Sequence, residues 1–187
     1  TDSADVEDGS FNLGLGSYAV DDITSGVRNT GIGVFALSQT TSGNHNTGVG
    51  YVALYNNTTG SDNTAVGYQA LYTNTSGSYN TAVGKNSLFY NETGIDNSAV
   101  GLRALNSNTT GDYNTAIGSN ALFSNTTQSS NTAIGYTALY NATATGNTAM
   151  GESAMYYTTT GDFNTAIKVL SNPDEVDFNL VAIDFNF

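Results

Sequence analysis

Apolar and polar residues follow one another along this chain in a pattern that repeats every seventeen residues. Each unit opens on Asn-Thr-Ala-aliphatic-Gly or a close variant, and this Asn is numbered here as position one. The opening residues are Asn12, Asn29, Asn46, Asn63, Asn80, Asn97, Asn114, Asn131, Asn147 and Asn164. Each step is seventeen residues except the step from Asn131 to Asn147, which is sixteen. A short period of this regularity predicts one small structural unit stacked many times.

The apolar positions of the unit favour strands over helices. Position four is aliphatic, position eight is small, position nine is mostly Leu and position ten is often aromatic. The apolar runs are short and Gly recurs within the units, whereas helices need longer runs and few Gly. The chain has no Asn-Gly pair, which is the strongest signal for a tight hairpin. The sequence therefore predicts an all-β fold, a parallel β-solenoid (β-roll) of about ten seventeen-residue coils that self-associates.

Each residue that recurs from unit to unit has an expected structural role. The aliphatic side chains at position four, such as Val83 and Ile117, are expected to fill the interior of every coil. The Asn side chains at position one are expected to satisfy backbone groups at a corner, as Asn does in turns. The Gly at position five is expected to permit a bend with positive φ.

Positions eight and nine suggest a contact between chains. Adjacent residues of a strand point to opposite faces, yet both positions are apolar in nearly every unit. We therefore expect the position-nine side chains to be buried at least partly by another chain, because a monomer rarely exposes so large an apolar patch. The alternative is a local bulge that turns both positions inward. The inter-subunit candidates are Leu71, Leu88, Leu105 and Leu122, with Phe178, Phe185 and Phe187 from the end of the chain.

The repeat divides the chain into three parts. Residues 1–11 form an acidic arm, residues 12–168 form the solenoid, and residues 169–187 form a C-terminal strand segment. The single proline, Pro173, marks the end of the repeat. Apolar and polar residues alternate after it, which is typical of a strand. This strand is expected either to cap its own solenoid or to pair with the edge of a neighbouring subunit.

Composition narrows the range of partners. The net charge is −12, with 16 acidic and 4 basic residues, which argues against binding to nucleic acid or to anionic membrane surfaces. No apolar run is long enough to insert into a membrane. The expected partner is the chain itself, as a trimer, another homo-oligomer or a head-to-tail polymer, with surface glycans as a further partner.

The sequence contains few residues of the kinds that form enzyme active sites. The chain contains no Cys, and His45 lies at a variable corner position, so we predict no catalytic residue and no bound cofactor. Acidic residues also recur irregularly at the corners, and a calcium ion (Ca²⁺) held by them is a weaker alternative. These residues are Asp62, Asp96, Asp112 and Asp162.

A second surface pattern matches the N-glycosylation sequon Asn-x-Ser/Thr. The candidate residues are Asn57, Asn74, Asn91, Asn108, Asn125 and Asn141. The alternative is that Asn-x-Thr is simply favourable turn chemistry.

The units Asn-Thr-Ala-Val-Gly and Asn-Thr-Ala-Ile-Gly resemble repeats of phage tail fibres and bacterial surface proteins. They are also similar to the head repeats of trimeric autotransporter adhesins, in which a small residue follows three positions after the Gly. Ala70, Ala121 and Ala138 match that small residue. The resemblance covers about residues 12–168 and implies a left-handed parallel β-roll, usually a homotrimer, on an extracellular fibre.

The sequence thus predicts a non-enzymatic structural subunit or shaft of an extracellular fibre or filament, located outside the cell or on a cell or virion surface. The alternative is an adhesin or a phage tail-fibre module that recognises surface glycans. Ice binding by threonine pairs, such as Thr58-Thr59 and Thr109-Thr110, is a third interpretation, and Glu92 interrupts that array.

Overall fold

The computed structural model describes residues 4–5, 10–157, 160–168 and 180–183 of the chain. These residues form one twelve-stranded sheet in which the strands follow one another in sequence order. The strands are β1 Ala4–Asp5, β2 Asn12–Leu15, β3 Thr30–Ile32, β4 Thr47–Val49, β5 Thr64–Val66, β6 Thr81–Val83, β7 Ser98–Val100, β8 Thr115–Ile117, β9 Thr132–Ile134, β10 Thr148–Met150, β11 Thr165–Lys168 and β12 Leu180–Ile183. Strands β2 to β11 are parallel, and the chain makes about 9 turns of a β-solenoid. The predicted all-β class and parallel β-solenoid are confirmed, and self-association stays a prediction.

Equivalent positions of successive coils lie directly above one another. Thr64, Ala65 and Val66 of β5 pair with Thr81, Ala82 and Val83 of β6. The sixteen-residue unit does not disturb this register, since Thr148 still pairs with Thr132. At about 4.8 Å between neighbouring strands, the ten parallel strands span roughly 43 Å.

The Gly at position five allows neighbouring coils to approach each other at a corner. Gly101 has φ +135, and a Cβ added there would lie 2.6 Å from the carbonyl oxygen of Gly118 in the next coil. The expectation of positive φ at this position is therefore confirmed, and any larger residue would clash with the backbone above it.

The faces of the short strands are opposite to those predicted. Position three faces the interior: Ala82 and Ala116 are completely buried. Position four faces outward, with Val83 36% exposed and Ile117 42% exposed. The prediction that position four fills the coil is wrong, because the strand alternation places its neighbour inside instead. Position three holds only Gly or Ala, as a narrow interior requires, whereas position four varies among Leu, Ile, Val and Met.

Positions eight and nine both face the interior. Ala104 and Leu105 are fully buried within one chain. The reason is local backbone geometry, because Arg103 and Leu105 have φ 54 and φ 50, so this segment is a turn and not an extended strand. A left-handed residue costs about 1–2 kcal/mol, and full burial of a Leu side chain offsets this with about 1.5–3 kcal/mol. The alternative of a local bulge is therefore the correct one.

Both ends of the parallel sheet are covered by strands of the same chain. β12 pairs antiparallel with β11, so that Ala166 lies opposite Ala182. β1 pairs antiparallel with β2 at the other end, with Ala4 opposite Leu13. The part of the C-terminal segment that the structure describes is thus placed as a cap on its own solenoid.

Candidate self-association face

The outward face of the parallel strands carries a continuous row of aliphatic side chains, called here the outer aliphatic stripe. Its members occupy position four of every coil: Leu15, Ile32, Val49, Val66, Val83, Val100, Ile117, Ile134, Met150 and Ile167. Most are exposed, from 36% at Val83 to 58% at Leu15. Position two, which is Thr in most coils, lies on the same face because it is two residues away along the strand. The face is therefore flat, regular and largely apolar.

A column of mixed side chains at position six accompanies the stripe, and three of its members are tyrosines. Tyr51 and Tyr68 stack with ring centroids 5.5 Å apart, and the Nζ atom of Lys85 lies 5.5 Å from the Tyr68 ring centroid. Leu102 and Tyr136 extend the same column and are exposed. These residues widen the apolar surface beyond the strands themselves.

Charged residues border the face at position seventeen. The Nη1 atom of Arg28 lies 3.3 Å from Nε2 of His45, and Nδ1 of His45 lies 3.5 Å from Oδ1 of Asp62. Tyr79 and Tyr113 occupy this position in later coils and are exposed. His45 is a surface residue in this column, as predicted from its variable position.

The size of the face suits an interface between two proteins. Most of the parallel strands have three residues, so a width of about 10 Å and a length of roughly 43 Å give roughly 430 Å². Two such faces in contact would bury roughly 860 Å², and the neighbouring side chains at position six would bring the contact towards the roughly 1,000 Å² of a specific interface.

The four leucine candidates for an interface lie elsewhere. Leu71, Leu88, Leu105 and Leu122 are completely buried inside the coils of a single chain. They therefore have no surface to offer to a second chain, and the expectation of a leucine interface is corrected. The other three candidates, Phe178, Phe185 and Phe187, lie outside the described residues.

Five of the six sequon residues form a second interior row, called here the corner Asn ladder: Asn57, Asn74, Asn91, Asn108 and Asn125. All five are completely buried. Nδ2 of Asn91 donates to the carbonyl of Gly94 at 3.0 Å and to Oδ1 of Asn74 at 2.8 Å. A glycan would have to replace one of these N–H groups inside the coil, so the folded chain has no room for it. The expectation of glycosylation at these five residues is corrected in favour of turn chemistry.

The sixth sequon residue, Asn141, stands one position earlier in its unit and is only half-buried. Its Oδ1 accepts a hydrogen bond from Oγ of Ser124 at 3.3 Å. Glycosylation of Asn141 stays a prediction.

The Asn residues at position one satisfy backbone groups, as predicted. Nδ2 of Asn80 donates across the coil to the carbonyl of Gly94 at 2.8 Å. Oδ1 of Asn80 accepts the backbone N–H of Asn97 in the next coil at 3.0 Å. The Gly94 carbonyl thus accepts from both rows of Asn, which ties the two sides of the coil together.

Two of the four acidic corner residues accept backbone hydrogen bonds. Oδ1 of Asp112 accepts from the N–H of Ile95 at 2.8 Å, and Oδ1 of Asp162 accepts from the N–H of Thr145 at 2.7 Å. Within the part of the chain that the structure describes, no three His, Cys, Asp or Glu residues converge as they would around a metal ion. Calcium binding at these corners stays an untested alternative.

Position ten carries an aromatic ladder, a feature that the sequence marked only as a recurrent aromatic. Tyr55, Tyr72 and Phe89 stack in one segment, and Phe123, Tyr140 and Tyr156 stack in another. Ring centroids lie 4.9 to 5.4 Å apart. The pKa of Tyr156 is raised above its usual value. The main cause is desolvation within this stack, and the nearby phenols of Tyr140 and Tyr157 contribute further.

Comparison of the chain with protein-family models, with curated proteins and with solved structures found no match. Among the described residues there is no helix of the length and apolarity needed to cross a bilayer.

Proposed function

We propose that this chain is a non-enzymatic structural subunit or shaft of an extracellular fibre, built by lateral association of β-solenoids through the outer aliphatic stripe. The observation that carries the proposal is the exposure of seven of the ten stripe side chains, for example 40% at Val100 and 43% at Ile167. Soluble monomers rarely leave so long an apolar row in water. The occupant that fits is a second copy of the chain, because its coils have the same spacing and its stripe presents an aliphatic side chain at every coil.

The energetics support a stable contact. A stripe side chain that is about 40% exposed has roughly 0.6–1.2 kcal/mol of burial still to gain, taking about 1.5–3 kcal/mol for full burial. Seven such side chains on each of two copies give roughly 8–17 kcal/mol. This exceeds the lower estimates of the cost of association, which are about 4–15 kcal/mol. Lateral contact also fits the ends of the solenoid, which β1 and β12 already cover.

The test is to make the stripe polar without changing its shape. Val66, Val83, Val100 and Ile117 are replaced together by Thr, which keeps the β-branched side chain and adds a hydroxyl. Light scattering coupled to gel filtration should give an assembly of two or more chains for the wild type. The variant should give a monomer with an unchanged far-ultraviolet circular dichroism spectrum.

A matched control changes four exposed residues at position fourteen, far from the stripe along the coil: Thr59, Thr93, Thr110 and Thr127, each to Ser. This control should keep the mass of the wild-type assembly. A wild type that is monomeric at all concentrations would refute the proposal, as would a stripe variant that keeps the wild-type mass.

A second function is favoured by the exposed tyrosines of position six. Tyr51 and Tyr68 are 49% and 45% exposed and present stacked rings beside Lys85, an arrangement that suits the apolar faces of sugars. This observation supports the adhesin alternative, in which the fibre recognises surface glycans. Binding to a glycan array that disappears in the Tyr51→Ser/Tyr68→Ser variant would support it, and absence of binding by the wild type would exclude it for the glycans tested.

A further inference from the structure

The aromatic ladder is interrupted at one coil, and an open cleft lies at the interruption. Position ten is Phe89 in one coil, Asn106 in the next and Phe123 in the one after. The cleft has a volume of about 360 Å³. Its lining residues are Asn86, Phe89, Tyr90, Arg103, Asn106 and Phe123.

Phe89 and Phe123 lie two coils apart, which at about 4.8 Å per coil is about 9.6 Å and leaves room for one ring between them. On one side Tyr72 stacks on Phe89 with centroids 5.1 Å apart, and on the other Phe123 stacks on Tyr140 at 5.1 Å. The interplanar angles of these two pairs are 9° and 11°. A planar ring held at the level of the Asn106 coil would continue the same spacing and tilt, and it would meet Phe89 on one side and Phe123 on the other. Offset stacking at such centroid distances is favourable for aromatic rings.

Asn106 does not fill the gap itself. Its Nδ2 atom donates to the backbone carbonyl of Asn86 at 2.8 Å, and the residue is only 8% exposed. The side chain is therefore fixed against the floor of the cleft. Tyr90, which meets Phe89 edge to face at 4.6 Å, closes one side.

Arg103 supplies a positive charge at the same place. It is exposed, and within the described residues its guanidinium forms no ion pair or hydrogen bond. The chain as a whole carries a net charge of −12, so an unpaired cation beside an aromatic cleft is a local exception. A guanidinium binds a carboxylate with two parallel N–H···O hydrogen bonds.

We propose that this cleft binds a small aromatic carboxylate, whose ring takes the place of the missing ladder ring between Phe89 and Phe123 and whose carboxylate pairs with Arg103. The occupant is aromatic because both walls are aromatic rings at stacking distance from their own neighbours. This binding does not depend on self-association, since the lining residues lie at positions seven, ten and eleven and not on the outer aliphatic stripe.

The experiment titrates the full chain with 4-hydroxybenzoate by calorimetry and by ligand-observed nuclear magnetic resonance. Saturable binding at micromolar to millimolar probe is expected for a ligand of this size. Asn106→Tyr should complete the ladder and abolish binding. Asn106→Ala should retain it, because this variant loses the same hydrogen bond to Asn86 without filling the gap. This pair separates occupation of the cleft from general disturbance of the coil.

The role of Arg103 is tested by changing the residue in the protein and by changing the charge of the probe. Arg103→Gln should weaken 4-hydroxybenzoate binding by at least about tenfold, the order of a charge-assisted hydrogen bond. The same variant should leave binding of the neutral p-cresol unchanged. Arg28→Gln, which removes a cation at a distant coil, is the matched control and should bind like the wild type.

Three outcomes would overturn the proposal. The first is absence of saturable binding by the wild type at millimolar probe. The second is equal binding by wild type and Asn106→Tyr. The third is binding of methyl glucoside in place of both aromatic probes, which would mean that the cleft takes a sugar.

Discussion

The corner Asn ladder gives a sharp prediction about what holds the coils together. Asn91→Ala removes three hydrogen bonds: Nδ2 to Gly94, Nδ2 to Asn74, and the bond that Oδ1 of Asn91 accepts from Asn108. The three partners of the Asn91 side chain are not affected equally by the substitution. The Gly94 carbonyl keeps its bond from Asn80 at 2.8 Å.

The other two partners, Asn108 and Asn74, also differ in whether they keep a second hydrogen bond. Nδ2 of Asn108 keeps its bond to the carbonyl of Gly111 at 2.9 Å. Oδ1 of Asn74 has no other donor among the described residues and would be left unsatisfied in the interior. An unsatisfied buried acceptor costs about 1–3 kcal/mol, and each ordinary hydrogen bond contributes about 0.5–1.5 kcal/mol. One unsatisfied acceptor and two ordinary hydrogen bonds together predict that Asn91→Ala lowers the free energy of unfolding by about 2–6 kcal/mol.

The assay is urea unfolding followed by circular dichroism, with wild type and variant at equal assembly mass so that association does not contribute. Asn141→Ala is the matched control, because the Asn141 side chain is half-buried and the hydrogen bond that it accepts from Ser124 is a long one at 3.3 Å. It should cost less than about 1 kcal/mol. Equal losses in the two variants would refute the interior role of the ladder.

Three further predictions address the faces of the coil. Ala116→Asp should prevent folding, because an unpaired charge would enter a dry interior, whereas Ile117→Asp should keep the native circular dichroism spectrum; native spectra for both would contradict the assignment of faces. Leu105→Ala should lower the free energy of unfolding by about 2–5 kcal/mol in urea titrations, as buried leucines do, and a loss below about 1 kcal/mol would argue against its full burial. Peptide mapping of folded protein from a glycosylating host should find the corner Asn ladder unmodified, and a glycan on any of its five residues would contradict the structure.

The period of the repeat was sufficient to predict the fold. A seventeen-residue spacing with short apolar runs and without a tight-hairpin signal leaves few arrangements other than stacked parallel coils. The Gly at position five and the Asn at position one were also interpreted correctly. In both cases the requirement is local: a positive φ such as that of Gly101, and an amide that reaches nearby backbone groups.

The assignment of faces could not be derived from hydrophobicity alone. Position four is the most apolar column, yet it faces outward, and the interior is lined by Ala at position three, Leu at position nine and two rows of Asn. Strand alternation also fails where residues such as Leu88 adopt positive φ, at 48. Size was the better signal, since Ala82 and its equivalents are never larger than Ala, whereas the outward position accepts Leu15, Val83 and Met150 alike.

The corner Asn ladder was wrongly interpreted because an Asn in a glycosylation sequon and an Asn with a buried amide can have the same sequence pattern. A row of Asn at equal spacing predicts a glycan when each residue is considered alone. When successive coils are stacked, the same row places each amide against the next, as Nδ2 of Asn108 meets Oδ1 of Asn91 at 2.8 Å. In this solenoid, an Asn that recurs at equivalent positions of successive coils therefore favours an interior ladder over a modification site.

The single sixteen-residue unit shows how the solenoid accommodates a local irregularity. The corner Asn ladder ends at Asn125, because the next coil has Ala142 in its place. Asn131 compensates: its Nδ2 donates to Oδ1 of Asn125 at 3.2 Å and to the carbonyl of Ala144 at 2.9 Å. The sheet then continues in register. The register is thus kept across the shortened unit, although the buried Nδ2 of Asn147 in the following coil has no hydrogen-bond partner among the described residues. A break such as Asn106 in the aromatic ladder can therefore create a binding cleft without weakening the fibre that we propose, because the strands of β6, β7 and β8 on either side of it stay paired.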